Sequence, residues 1–224
     1  LEGLYWLAAA GWGASLVLWI QFRSVPRRTP PGSDLRLIVR QAGTFFAPLA
    51  VLLMARSLLL VGIQVFLPTF LTSEGSDLWF GAWALTIFEF AGVGGALFAG
   101  NLSDHFGRRK VIFWALLFSG FLMLLLVELR GTLLLIALVP FGFVSLASQP
   151  VMLALVQDRF PNNRSAASGF FLAISFILRP AAAVSLGAVG DWLGLGAAYY
   201  LASLVLLLTL PVIRLLPSKT STPD

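Results

Sequence analysis

The chain has 224 residues, of which 58% are hydrophobic and only 11% charged, with a formal net charge of +5. A typical soluble domain is ~45–50% apolar and ~25% charged. This composition excludes a soluble enzyme, a nucleic-acid module and a disordered chain. The positive charge does not point to nucleic acid, because the basic residues sit in short clusters between long apolar runs. There is no cysteine, and the single histidine, His105, is too little for a histidine metal cluster. No serine–histidine or carboxylate pair has catalytic spacing, so neither an enzyme nor a cofactor or metal is expected.

A membrane-crossing helix needs ~20 predominantly apolar residues. Seven stretches qualify: 4–22, 42–71, 78–101, 111–129, 132–156, 165–188 and 196–216. The first is a leading span, divided from a block of six by a basic, proline-rich linker at 23–41. The end of that linker reads Leu-Arg-Leu-Ile-Val-Arg, a short amphipathic helix at the membrane surface. The second span contains Pro48 and Pro68, which predict tilt, kinks or a non-helical start. In the third, Gly92/Ala96/Gly100 and Ala91/Gly95/Ala99 form small-residue faces that let membrane helices approach closely. The spans 111–129 and 196–216 carry almost no polar residues and are expected to face lipid. The other four have polar material to turn inward: Arg56 and Gln64, Thr86 and Glu89, Ser145, Ser148 and Gln149, and Ser168, Ser175 and Arg179. Pro180, next to Arg179, makes either a kink or a hinge. Tyr199 and Tyr200 read as an interfacial aromatic belt. Residues 218–224 form a tail.

The positive-inside rule orients this chain. With the linker in the cytoplasm, the cytoplasmic segments hold Arg23, Arg27, Arg28, Arg36, Arg40, Arg108, Arg109, Lys110, Arg159, Arg164, Arg214 and Lys219. The outer loops hold only Arg130, with Glu74, Asp77, Glu128 and Asp191. The C-terminus is then cytoplasmic. A chain that starts outside, without Met, directly at a span, reads as a piece of a longer protein.

Arg56, Glu89 and Arg179 lie inside spans, near mid-depth. An Arg at the centre of a membrane helix costs ~2.5–3.5 kcal/mol on insertion scales, so such residues face a bundle interior or a water-filled cavity. Glu89 is the one acid near the middle of a span and the expected partner of Arg56, Arg179 or both, with Arg56 preferred. It serves either in a static ion pair or as a proton-carrying group. Two arginines against one glutamate leave a local charge of +1, which favours an anionic or zwitterionic substrate.

The block of six hides a repeat. Gly100, Asp104 and Gly107 follow the spacing G-x-x-x-D-x-x-G, and Gly187, Asp191 and Gly194 repeat it 87 residues later. Each copy lies between the second and third span of a three-span unit, so the copies fall on opposite sides of the membrane. Only the first is followed by basic residues, Arg108-Arg109-Lys110. Two three-span units of opposed topology are one half of a known transporter architecture.

With these residues in view, the chain resembles the C-terminal half of a major facilitator superfamily transporter. Gly100-Asn-Leu-Ser-Asp104-His105-Phe-Gly107-Arg108-Arg109 looks like the family's cytoplasmic signature G-x-L-x-D-R-x-G-R-R, with His105 where the pattern has Arg. Three stretches, from Arg56 to Pro68, from Gln149 to Arg164 and from Ser165 to Gly169, look most like the fosmidomycin-resistance type of efflux transporter. The resemblance implies an all-helical integral membrane protein in a bacterial inner membrane, with 4–22 as the sixth of twelve spans and 42–217 as the six-helix C-terminal half. It implies alternating access, proton-coupled efflux of a small molecule, and a missing N-terminal half as partner. Gly100, Asp104, Gly107, Arg108 and Arg109 become a conformational latch. Arg56, Gln64, Glu89, Gln149, Ser175 and Arg179 become the candidate substrate or proton pathway. A self-sufficient half-transporter that dimerises, or a membrane sensor or anchor, is the alternative.

Overall fold

The computed structural model describes residues 4–23 and 35–216, and every regular element among them is helical. The leading segment is a unit by itself, the helix α1 (Leu4–Phe22), 19 residues without a charge. Arg23 follows it, with its guanidinium 5.8 Å from the centre of the Trp19 ring. The linker residues 24–34 lie outside the described residues.

The second unit begins at Asp34. Its helices are α2 (Leu35–Val61), a wide π-helical turn (Gly62–Phe66), α3 (Leu67–Ser73), α4 (Leu78–Phe106), α5 (Arg108–Glu128), α6 (Gly131–Arg159), α7 (Arg164–Leu193) and α8 (Leu195–Thr209), which ends in a 3₁₀ turn (Leu210–Leu215). Six helical segments among the described residues are long and apolar enough to cross a membrane, from Gly43–Ser73 to Leu195–Leu215. One expectation is corrected at the start of α2. Residues 35–40 are not a separate surface helix but its first turns, because nothing between Leu35 and Pro48 breaks the helical backbone.

Pro68, unlike Pro48, changes the helix type. It has no N–H to offer the Gln64 carbonyl four residues back, and its ring crowds that carbonyl. The backbone answers by widening to a π turn just before it, the usual form of such an interruption. Tyr199 closes the site from α8. Its hydroxyl donates to the Gly62 carbonyl at 3.0 Å, and its ring is 2% exposed and packs edge-on against Phe70. A β-carbon at Gly62 would sit 3.0 Å from that ring, so glycine is what admits it. The aromatic-belt reading is therefore wrong for Tyr199: it is buried structure. Tyr200 is exposed and hydrogen-bonds Glu128.

Helix α2 is the most buried of the set and α7 the least. Helix α4 packs on α6, and α2 on α7; α5 packs on α6, and α8 on α2; α4 meets α5, α7 meets α8, and α5 meets α8. The α4–α6 contact is backbone-close. A β-carbon at Gly95 would lie 1.9 Å from the Phe143 carbonyl oxygen, and one at Gly142 would lie 2.2 Å from that of Phe88. The buried stripe is Phe88, Gly92, Gly95 and Ala99, drawn from both of the small-residue faces expected, while Gly100 is exposed with open space beside it.

The segment 100–110 is not a loop. Helix α4 runs to Phe106 and α5 starts at Arg108, so Gly107 alone turns the chain, at φ 89° and ψ 134°. Gly194 does the same between α7 and α8, at φ 85° and ψ 153°. In each, the glycine N–H reaches the carbonyl four residues back, Ser103 or Gly190. A positive φ of this kind is readily open only to glycine.

Helices α5 and α8 turn their serines Ser119 and Ser203 inward. Ser203 donates to the Gly120 carbonyl at 3.0 Å, and Ser119 meets Ser145 at 3.0 Å. Their exposed stripes, Trp114, Phe118, Phe121 and Leu125 on α5 and Leu201, Leu204 and Leu208 on α8, are apolar, which suits lipid.

Candidate functional site

The charges inside the spans form two clusters, both rooted on the α2 rod. The first is at Arg56, 5% exposed. Its Nε donates to Ser148 Oγ at 2.7 Å, and its Nη2 donates to Gln149 Oε1 at 3.2 Å. The Ser148 hydroxyl in turn donates a hydrogen bond to the Ser145 carbonyl at 2.7 Å. Pro150 lacks the N–H that would close the next turn of α6, which loosens the helix where these acceptors sit. Among the described residues no carboxylate lies within ion-pair range of Arg56. A cation held by neutral acceptors keeps its charge uncompensated.

The second cluster hangs on the π turn. Gln64 donates through Nε2 to Glu89 Oε1 at 2.5 Å and accepts through Oε1 from Arg179 at 2.5 Å. The amide thus stands between anion and cation, with α4 on one side and α7 on the other. Pairing of Glu89 with Arg56 is overturned. Arg56 is engaged by α6, and Gln64 occupies the place where a direct contact between Glu89 and Arg179 would be. The π turn explains this: the widened backbone carries Gln64 at the level where α4 and α7 present their charges. Arg179 is exposed near the middle of its span, and Glu89 and Gln64 are half-buried. Charge at that depth belongs against water or protein, not lipid.

At one end of the bundle Arg108 is the hub. It contacts Asp104 at 3.2 Å, Ser103 Oγ at 3.2 Å and Asp158 at the end of α6. Arg109 donates to the Leu216 carbonyl at 3.3 Å and fastens the end of the α8 segment. At the other end Arg130 pairs with Glu74 at 2.9 Å and caps the Val127 carbonyl at 2.6 Å.

A model of the Major Facilitator Superfamily matches residues 49–224. The chain belongs to that superfamily. It is therefore a multi-pass membrane protein of a transporter family, with the six apolar helices of the second unit to match. A search of the curated proteins finds no match.

For this major facilitator chain, the expected residues divide cleanly. Arg56 and Gln149 come together, and so do Gln64, Glu89 and Arg179. Ser175 joins neither: its hydroxyl donates to its own helix at the Phe171 carbonyl, 2.9 Å away. Asp104, Gly107, Arg108 and Arg109 meet at one helix junction, while Gly100 has no neighbour within 4 Å of a β-carbon built on it. Ser148 and Asp158 were missed as site residues. Ser148 stood in the sequence as inward polar material beside Gln149. Asp158 sat in a quoted stretch, but nothing in its spacing tied it to Arg108.

Proposed function

We propose that this chain is the six-helix C-terminal half of a secondary active transporter, preceded by a leading span at 4–22, that exports a small anionic compound in exchange for protons by alternating access. The observation that carries the reading is the relay Arg179–Gln64–Glu89 on the exposed side of the bundle. A carboxylate accepts from the Gln64 amide. A protonated Glu89 holds one acceptor oxygen fewer and presents a donor, so the amide reorients. Arg179 then loses the acceptor that positions it for an anionic substrate, with Arg56 as a second cation, so the proton displaces the anion. One proton is thereby coupled to one change in anion affinity. The similarity of 56–68 and 149–169 to the fosmidomycin-resistance type supports efflux as the direction. An N-terminal half facing α4 and α7 would cover the relay.

The proposed architecture is a pair of inverted three-helix units, α2–α3/α4/α5 and α6/α7/α8. Exchanging the units turns the α4–α6 contact into α7–α2, α5–α6 into α8–α2 and α4–α5 into α7–α8, each of which occurs, and returns α5–α8 to itself. Gly107 and Gly194 exchange with nearly the same backbone angles. The proposed orientation puts Arg108 and the C-terminus in the cytoplasm, by the distribution of basic residues.

Glu89→Gln in the full-length transporter, reconstituted in vesicles, tests the coupling. Uptake driven by a pH gradient should be lost, while exchange of substrate without a gradient survives. Driven transport at the unmodified rate would overturn the proton role of Glu89.

A further inference from the structure

We propose that the groove between the start of α5 and the end of α8 binds the headgroup of an anionic phospholipid. The groove is a cavity of about 800 Å³. Arg109, Lys110 and Arg214 line it, with Phe113, Trp114 and Leu207 among its apolar walls and no acidic residue. Trp114, which lines it, and Leu208, next to the lining residue Leu207, are exposed apolar side chains that suit acyl chains.

The charges are positioned for an outside ligand. Asp104 and Asp158, the acids closest in sequence and contact to this junction, are both taken by Arg108. Lys110 and Arg214 are exposed and pair with no described acid. Arg109 spends one N–H on the Leu216 carbonyl, which sets its guanidinium at the rim and leaves further donors. Three cations over an apolar slot match a phosphate headgroup above two acyl chains, and basic pockets between helix ends are where such headgroups bind. The groove also spans the junction at Gly107 and the end of α8, so a lipid there ties the start of α5 to the end of α8.

The test uses the full chain purified in neutral detergent and analysed by native mass spectrometry with equal dioleoylphosphatidylglycerol and dioleoylphosphatidylcholine. The unmodified chain should retain the anionic lipid preferentially. K110Q/R214Q should weaken that binding by about thirty-fold, at roughly one decade and a half for two surface cations. The charge-preserving swap K110R/R214K should keep it, and R159Q/R164Q, which removes two exposed cations elsewhere, should also keep it. Equal retention of the two lipids, equal loss in R159Q/R164Q, or full displacement of the lipid by inorganic phosphate would each overturn the proposal. None of these outcomes depends on transport, so the proposal stands or falls apart from the proton reading.

Discussion

Tyr199 on α8 donates its hydroxyl hydrogen to the carbonyl of Gly62, 137 residues earlier in the chain and 3.0 Å away. The contact pins the π turn from behind while Gln64, two residues on, reaches forward to Glu89 and Arg179. Tyr199→Phe keeps the ring and removes the bond. Thermal unfolding in detergent should show a loss of about 1 kcal/mol. Transport should fall further than that loss explains, because Gln64 is no longer held. Unchanged transport would separate the relay from the turn.

The glycines of α4 make a paired prediction. Gly95→Ala drives a β-carbon into the Phe143 backbone, which cannot move aside as a side chain does. It should destabilise by at least ~1–3 kcal/mol, the range for overpacking. Gly100→Ala meets open space in a helix and should stabilise by up to ~1 kcal/mol through helix propensity. Comparing the two melting temperatures checks both values.

Arg108 has two carboxylate partners of unequal standing. Asp104 is 63% exposed and Asp158 30%. An exposed pair is worth ~0–1 kcal/mol, so Asp104→Asn should leave expression and stability nearly intact while lowering transport. Asp158→Asn should cost more stability, and the double variant should show non-additivity in a double-mutant cycle. Full additivity would mean the two acids do not share Arg108.

Arg56 separates stability from function. A buried cation without a carboxylate is expensive, and an apolar residue of similar length often stabilises. Arg56→Met should melt at the same temperature or higher, yet lose binding of an anionic substrate. Retained transport in this variant would make Arg56 a structural residue alone.

The six spans of the second unit were legible because apolar length is a coarse signal that membrane insertion enforces residue by residue. Gly107 was legible too, as a glycine at a fixed spacing, though its neighbours looked like a loop and are helix. What could not be read was rotation. Which face Arg56 turns depends on α6, and Ser148 and Gln149 lie more than 90 residues away. The position of Gln64 depends on a change of helix type that Pro68 prompts but that no hydrophobic period records. Tyr199 beside Tyr200 looks like an interfacial pair in any sequence, and only the glycine opposite it shows which one is buried.

The π turn is in effect a single inserted residue that the helix has absorbed. A residue of helix corresponds to about 100° of rotation, so everything beyond Phe66 is turned by that angle relative to an uninterrupted rod. Deleting one residue from 62–66 would remove the extra residue, though not the missing N–H of Pro68, and would swing Glu74 away from Arg130. The irregularity thus sets the phase between the middle of this helix and its far end. Homologous chains that keep the charges but differ here by one residue would have to place the partner of Arg130 on another side chain.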